Sequence, residues 1–448
     1  MLITNATIVT GGKPNRVLHE HAALIVGDHI QAVGPSRELE AANPKTRRLD
    51  AAGQLLLPGA ICAHTHTYSL FSRGLAIQPP LPRDLPEILQ RLWWPLDAAL
   101  SEEDIRLGAL LSFADAIRNG TTTVFDHHAS SQFVDGSLDL IADAVDRSGI
   151  RAVLCYEVTD RHGAAVTDAG IQENMRFMRR IQAQPSPRLS AMFGLHASLT
   201  LSGATLQACR AATPADKGFH VHLAEHVQDQ YDSLARSGMR ATDRLDKHGI
   251  LGPQTIAAHC VHVDAAEISL LQQTGTWVAH QPRSNMNNGV GAAPVESMLR
   301  SGVRVCLGND GFSDAMRQEW QAAHLLQTAS GGDPRRMDPA QIMTMAMTNS
   351  SDLASNFFPG QQIGQIAPGA AADLVLVEYA SPTPITEENF AWHQVFGLES
   401  GMVTTTMVAG KILMQDRKLR TLDERALAAR ARELAPRVWS RLQDFGRT

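Results

Sequence analysis

Between residues 54 and 310, short apolar runs alternate with helix-like stretches eight times over. The runs are Leu55–Ala63, Thr121–Phe125, Arg151–Tyr156, Leu189–Leu195, Gly218–Leu223, Thr255–Ala258, Thr276–Ala279 and Val303–Leu307. Each is too short for a helix, whereas Glu102–Arg118, Gly136–Arg147 and Gln230–Lys247 carry amphipathic spacing. Strands alternating with helices build parallel βα units. Eight such units over roughly 250 residues satisfy a (β/α)8 barrel. An open doubly wound sheet fits less well, because no G-x-G-x-x-G follows the first run. The expected class is therefore α/β, with a TIM-like barrel.

The two ends read differently. Ile3–Thr10, Ala23–Val26 and Ile30–Val33 are strand-like pieces broken by Gly-Gly, Gly-Asp and Gly-Pro turns. Asp373–Val377, Val403–Val408 and Lys411–Met414 repeat that style near the other end. Neither set suffices alone, so both are expected to pair, as small antiparallel strands, into one composite β-sandwich domain. The expected divisions are residues 1–57 for its first part, 58–360 for the barrel, and 361–448 for its second part plus a terminal helix. Thr421-x-x-Glu424 reads as a capping box, followed by a stripe of Leu427, Leu434, Val438, Trp439 and Leu442 suited to packing.

Composition narrows the function. A chain of 448 residues buries a sizeable core without disulfides. A net charge of −6 with mixed signs excludes a nucleic-acid footprint. Five scattered cysteines, an odd number without C-x-x-C, exclude a disulfide framework or zinc ribbon. Met1–Thr10 lacks the basic start of a signal peptide, and no apolar run approaches the roughly 20 residues that span a bilayer. A soluble, cytoplasmic protein without membrane partners is expected.

Chemistry-bearing residues gather at the ends of the runs. His64-Thr65-His66 closes the first, and at i,i+2 in a strand both imidazoles share one face. At the C-terminal end of a barrel strand that face is the mouth of the site, where paired imidazoles suit a divalent transition metal. His222 ends the fifth run with Glu225 just beyond, a carboxylate placed for proton transfer beside a metal. His259 ends the sixth run, and Asp310 follows the eighth between Gly308 and Gly311. Asp310 can complete a metal shell and accept a proton from water. Each motif alone is equally well read as a polar strand end; four strand ends converging on one chemistry are not.

In order and spacing, His64-x-His66, His222-x-x-Glu225, Ala258-His259-Cys260-Val261-His262, Ser284-Asn285-Met286 and Gly308-x-Asp310-Gly311 resemble the amidohydrolase superfamily. More narrowly the chain resembles its cytosine-deaminase-like aminohydrolase branch. Asp126-His127-His128-Ala129-Ser130, Cys155-Tyr156-Glu157-Val158 and Met402-Val403-Thr404-Thr405-Thr406 are similar to the SsnA aminohydrolase group. The resemblance implies that His64, His66, His222 and Asp310 bind one divalent metal per chain, usually Zn2+ and in some relatives Fe2+. It further implies that Glu225 shuttles protons, His259 orients the attacking water and His196 contacts substrate. A homo-oligomer is expected on the same ground.

The implied reaction is hydrolytic removal of an exocyclic amino group from a purine-, pterin- or triazine-like heterocycle, releasing ammonia. The same site could cleave a ring C–N bond, or displace chloride or an alkylamine. An inactive binding protein is the alternative of another class, but it requires a missing ligand and none is missing. A two-metal cyclic-amide hydrolase needs a lysine at the fourth strand end, and no lysine occurs between Lys45 and Lys217. His128 (or His127, since alternation lets one face inward), Asn285 and Trp94 complete the substrate-side candidates. Trp93 and Trp94 either stack on a flat ring or start a helix that packs on the barrel. Gln281 and Asn309 stand where relatives commonly carry Asn and Thr or Ser.

Overall fold

The computed structural model describes residues 1–445. Eight parallel strands form the barrel: β1 (Ala60–Thr65), β2 (Thr121–His128), β3 (Arg151–Val158), β4 (Phe193–Ala197), β5 (Phe219–Leu223), β6 (Ile256–His259), β7 (Trp277–His280) and β8 (Val305–Leu307). Leu189–Ala191 adds a short piece paired with β3. Thr65 bridges to Asp310 and closes the ring between β1 and β8. Gly308 permits that closure, because a Cβ there would lie 2.7 Å from His64 O.

The helices between strands follow local rules. Asp264 and Glu267 cap Ala265–Thr274 reciprocally, and Gly275 at φ 67° ends it in the left-handed region. Glu102–Arg118 buries Ile105, Leu110, Phe113 and Ile117, the apolar face that holds it to the barrel.

The first apolar run divides. Leu55–Pro58 pairs antiparallel with Leu374–Val377 in a second sheet, and the chain enters the barrel only after Gly59. A Cβ on Gly59 would meet the Thr122 side chain at 2.2 Å, so only glycine passes this crossing. Segments from both chain ends build the second sheet of nine strands. Its pairing is mixed rather than uniformly antiparallel: Leu2–Val9 runs parallel to Arg48–Asp50 and Leu55–Pro58, and antiparallel to Val17–Val26.

The terminal helix, Glu424–Phe445, corrects one expectation. Its first turn is capped by Asp423, whose Oδ1 accepts from Ala426 N at 3.1 Å, while the Thr421 hydroxyl donates to Ser148 O. Its apolar stripe packs on the barrel: Leu434, Val438 and Leu442 join the barrel core, and Trp439 Nε1 donates to Phe71 O.

One buried ion pair ties the barrel to the second sheet. Arg151 (0% exposed) donates to both carboxylate oxygens of Asp373 (1% exposed) at 2.7 and 3.1 Å. Asp373 Oδ1 also accepts from Ala409 N at 2.7 Å. Asp373→Ala strands a buried guanidinium and is expected to destabilise the fold by about 3–5 kcal/mol, read as a lowered urea midpoint.

Candidate active site

The four residues implied as metal ligands come together at the C-terminal ends of β1, β5 and β8. One donor atom from each of His64, His66, His222 and Asp310 lies within 4.8 Å of every other. His66 Nε2 stands 3.2 Å from His222 Nε2 and 3.0 Å from Asp310 Oδ1, and His64 Nε2 stands 3.5 Å from the same oxygen. Their outer nitrogens are committed elsewhere. His66 Nδ1 donates to His127 O at 2.6 Å, and His222 Nδ1 donates to His196 O at 2.8 Å. Both Nε2 atoms therefore present lone pairs to each other. His64 Nδ1 meets His220 Nε2 at 2.8 Å, leaving His64 Nε2 buried without a hydrogen-bond partner.

Neutral rings facing each other at this spacing call for a cation between them, a proton or a metal ion. Metal–nitrogen bonds of about 2.0–2.1 Å in a tetrahedral shell put ligand atoms about 3.3 Å apart. The field of the site favours positive charge at this point. Burial works against charge on His66, yet the hydrogen-bonded Asp310 carboxylate outweighs it and raises His66 to about 9. Burial would raise Asp310, but His64 and His66 against it hold it well below the carboxylate range. The donor set thus fits a divalent metal, with outer hydrogen bonds fixing each ligand.

Backbone strain gathers at these strand ends. Ala224, His259, Cys260 and Asp310 take φ of 49°, 70°, 49° and 56°, in the left-handed region where non-glycine residues cost on the order of 1–3 kcal/mol each. Hydrogen bonds hold the bends: Asn309 N and Asp310 N both donate to His64 O, and His66 N donates to Asp310 O.

Glu225 and His259 stand beside Asp310, a donor atom from each of the three lying within 4.8 Å of the others. His259 Nε2 is buried without a hydrogen-bond partner, 3.7 Å from Glu225 Oε2. Burial raises the Glu225 carboxyl above its ordinary value, which suits it to hold a proton. One helical turn steadies all three groups. From Pro282–Asn287 and the residue after it, Ser284 Oγ donates to Asp310 Oδ2, Asn285 Oδ1 accepts from His259 Nδ1 at 2.8 Å, and Asn288 Nδ2 donates to Glu225 Oε1 at 3.3 Å.

An open pocket of about 260 Å³ lies over the cluster, lined by Glu225, Asp310, His66 and His222 and walled by Tyr68, Leu89, Trp93 and Trp94. His196 lines it too, its Nδ1 2.6 Å from Thr200 Oγ1. Trp94 opens the helix Trp94–Ala99, and both tryptophans line the pocket.

Two substrate-side candidates are corrected. His128 does not line the pocket; strand alternation turns it away, to Ser130 Oγ at 2.9 Å and against Tyr68 and Tyr156. His127 faces the barrel interior instead, its ring 4.8 Å from that of His222. Asn285 lies behind His259, fully buried and absent from the lining. Gln281 and Asn309 are likewise supports, the first accepting from His259 N at 3.0 Å and the second donating to Asp314 at 2.8 Å.

Sequence reasoning missed His220, Arg161 and Glu157. Glu157 had a signal, since it follows the third apolar run just as His64 and His222 close theirs.

The amidohydrolase family model matches residues 55–413. The chain belongs to the amidohydrolase family. The 5-methylthioadenosine/S-adenosylhomocysteine deaminase of Pelotomaculum thermopropionicum is 32% identical over 447 residues, 98% of this chain and 99% of that one. The 5'-deoxyadenosine deaminase of Methanosarcina mazei is 30% identical, covering 99% of both. Among solved structures, an adenosine deaminase from Xanthomonas campestris with bound zinc superposes with a TM-score of 0.86 at 27% identity over 98% of both chains. The atrazine chlorohydrolase of Arthrobacter aurescens shares the fold, with a TM-score of 0.81 at 22% identity over 97% of this chain and 100% of that one. This amidohydrolase is an enzyme that hydrolyses carbon–nitrogen bonds, and its clustered donors fit a divalent metal. No helix among the described residues is long and apolar enough to cross a membrane.

Proposed function

We propose that the protein is a mononuclear aminohydrolase that replaces the exocyclic amine of a flat nitrogen heterocycle with oxygen and releases ammonia. The observation that carries this reading is the cluster of His64, His66, His222 and Asp310 with a proton-holding carboxyl and an unpartnered imidazole beside it. Relatives named as deaminases of adenosine derivatives support it. No lysine lines the pocket, which argues against a two-metal cyclic-amide hydrolase.

His64, His66, His222 and Asp310 would hold the metal, for which three imidazoles and one carboxylate favour zinc. Bound there, it supplies the Lewis acidity that makes water a nucleophile at neutral pH. His259, with Nδ1 fixed by Asn285, offers Nε2 to orient that water. Asp310, braced by Ser284, takes up its proton. Glu225 donates a proton to the ring nitrogen next to the reacting carbon, making that carbon electrophilic, and then assists departure of ammonia. Trp93 and Trp94 offer stacking surface to the ring.

Ammonia release from a purine, pterin and triazine panel by metal-loaded enzyme tests the reading; release of chloride or alkylamine without ammonia would contradict it. Asn285→Ala leaves every ligand in place and frees His259 to rotate. Turnover should fall by about 10–100-fold, with metal content by elemental analysis unchanged.

A further inference from the structure

Glu157 plays no part in the chemistry above, yet it lines the pocket beside the ligand cluster and is only 3% exposed. One carboxylate oxygen lies within 4.8 Å of donor atoms of His66, His127 and His222, whereas Glu225 groups with His259 and Asp310. The two carboxylates thus adjoin different members of the cluster, Glu157 the imidazoles of His66 and His222 and Glu225 the Asp310 carboxylate. Glu157 Oε1 accepts from Arg161 Nη2 at 3.1 Å. Arg161 is itself engaged by Asp97 at 3.2 Å and lies 4.8 Å over the Trp94 ring, so it holds Glu157 in place rather than offering a free cation. His196 stands next to it, Nε2 3.6 Å from Glu157 Oε1. The Thr200 hydroxyl donates to Ala197 O, so His196 Nδ1 donates to Thr200 and Nε2 is left as a lone pair. Glu157 and His196 thus offer two acceptors on this flank, beside the Arg161 guanidinium and the Trp94 indole N–H.

We propose that Glu157 is a specificity-determining residue that accepts a hydrogen bond from a ring N–H attached to the reacting carbon. A ring carbon over the cluster has two ring neighbours. Glu225 serves one, a nitrogen lone pair that must be protonated. A carboxylate on the other flank favours an N–H there and leaves no partner for a carbon or a lone pair. That selects heterocycles whose amino-bearing carbon lies between an imine nitrogen and a lactam N–H, the 2-amino-4-oxopyrimidine pattern. It disfavours 6-aminopurines, whose reacting carbon has a ring carbon on that side. The proposal deepens the aminohydrolase reading and rests on it.

The test is steady-state ammonia release by the zinc-loaded full-length enzyme from guanine, isocytosine, 1-methylguanine and adenine, in wild type and Glu157→Ala. Wild type should favour guanine and isocytosine over the other two by about 100-fold or more in kcat/KM. Glu157→Ala, with metal content as in wild type, should collapse that ratio by losing rate mainly on the two N–H substrates. A merely structural role would lower all four by one factor, and that outcome overturns the proposal. So does equal turnover of guanine and 1-methylguanine by wild type, a comparison that holds even if the variant fails to fold. Turnover of adenine alone refutes the role of Glu157 and leaves the aminohydrolase reading standing. No ammonia from these four or from the wider panel removes both.

Discussion

Glu225→Gln should retain its metal and lose turnover by about 10²–10⁴-fold, the range typical of general acid–base catalysis. Glu225 is not among the four clustered donors, so the change leaves the ligand set whole. Glutamine keeps the shape and can still pair with Asn288, but its amide cannot deliver a proton to a ring nitrogen and take it back. Stopped or coupled ammonia assays beside elemental analysis separate the two properties. A variant near the wild-type rate would show that the proton travels by another residue.

His64→Ala should have the larger effect, taking metal and activity together. The imidazole is fully buried, and its Nε2 has no hydrogen-bond partner in the protein. Its removal opens one corner of the donor set and frees His220 Nε2, now held by His64 Nδ1 at 2.8 Å. Purified variant should carry little metal, show only background turnover, and keep the far-ultraviolet circular dichroism of the parent. Normal metal content with normal rate would show that His64 is not a ligand.

The barrel is legible in sequence because apolar runs and amphipathic stretches differ in period, and eight of them leave few architectures open. What hydrophobicity misses is the functional end of each strand. The run Thr121–Phe125 extends to His128 in the structure, and Arg151–Tyr156 extends to Val158. Asp126, His127, His128 and Glu157 are buried there because they bond to one another and to neighbouring backbone, which a scale of apolarity cannot see. The same blindness removed Glu157 from the list of candidates. Leu55–Ala63 reads as one run because both halves are apolar, although Gly59 divides them between two sheets.

Strand parity also explains His128: adjacent residues point to opposite faces, and sequence alone does not say which of His127 and His128 turns inward. Asn285 was legible as part of Ser284-Asn285-Met286, but its place behind His259 depends on how the turn Pro282–Asn287 sits against β6. The bond from Asn288 to Glu225 is visible only once that turn is known to carry Ser284 and Asn288 one helical turn apart. The composite second sheet was legible in composition, whereas its mixed pairing comes from Leu2–Val9 lying parallel to Arg48–Asp50 and Leu55–Pro58, as in the pair Ile8 with Leu56, which turn chemistry does not specify.

Zinc titrated into chelator-treated protein, with ammonia release followed at each addition, measures the central claim most directly. Activity should rise in proportion to added metal, stop at one equivalent per chain, and be absent without it. Full turnover in the stripped protein, or a rise that continues to a second equivalent, would contradict a single cation held by His64, His66, His222 and Asp310.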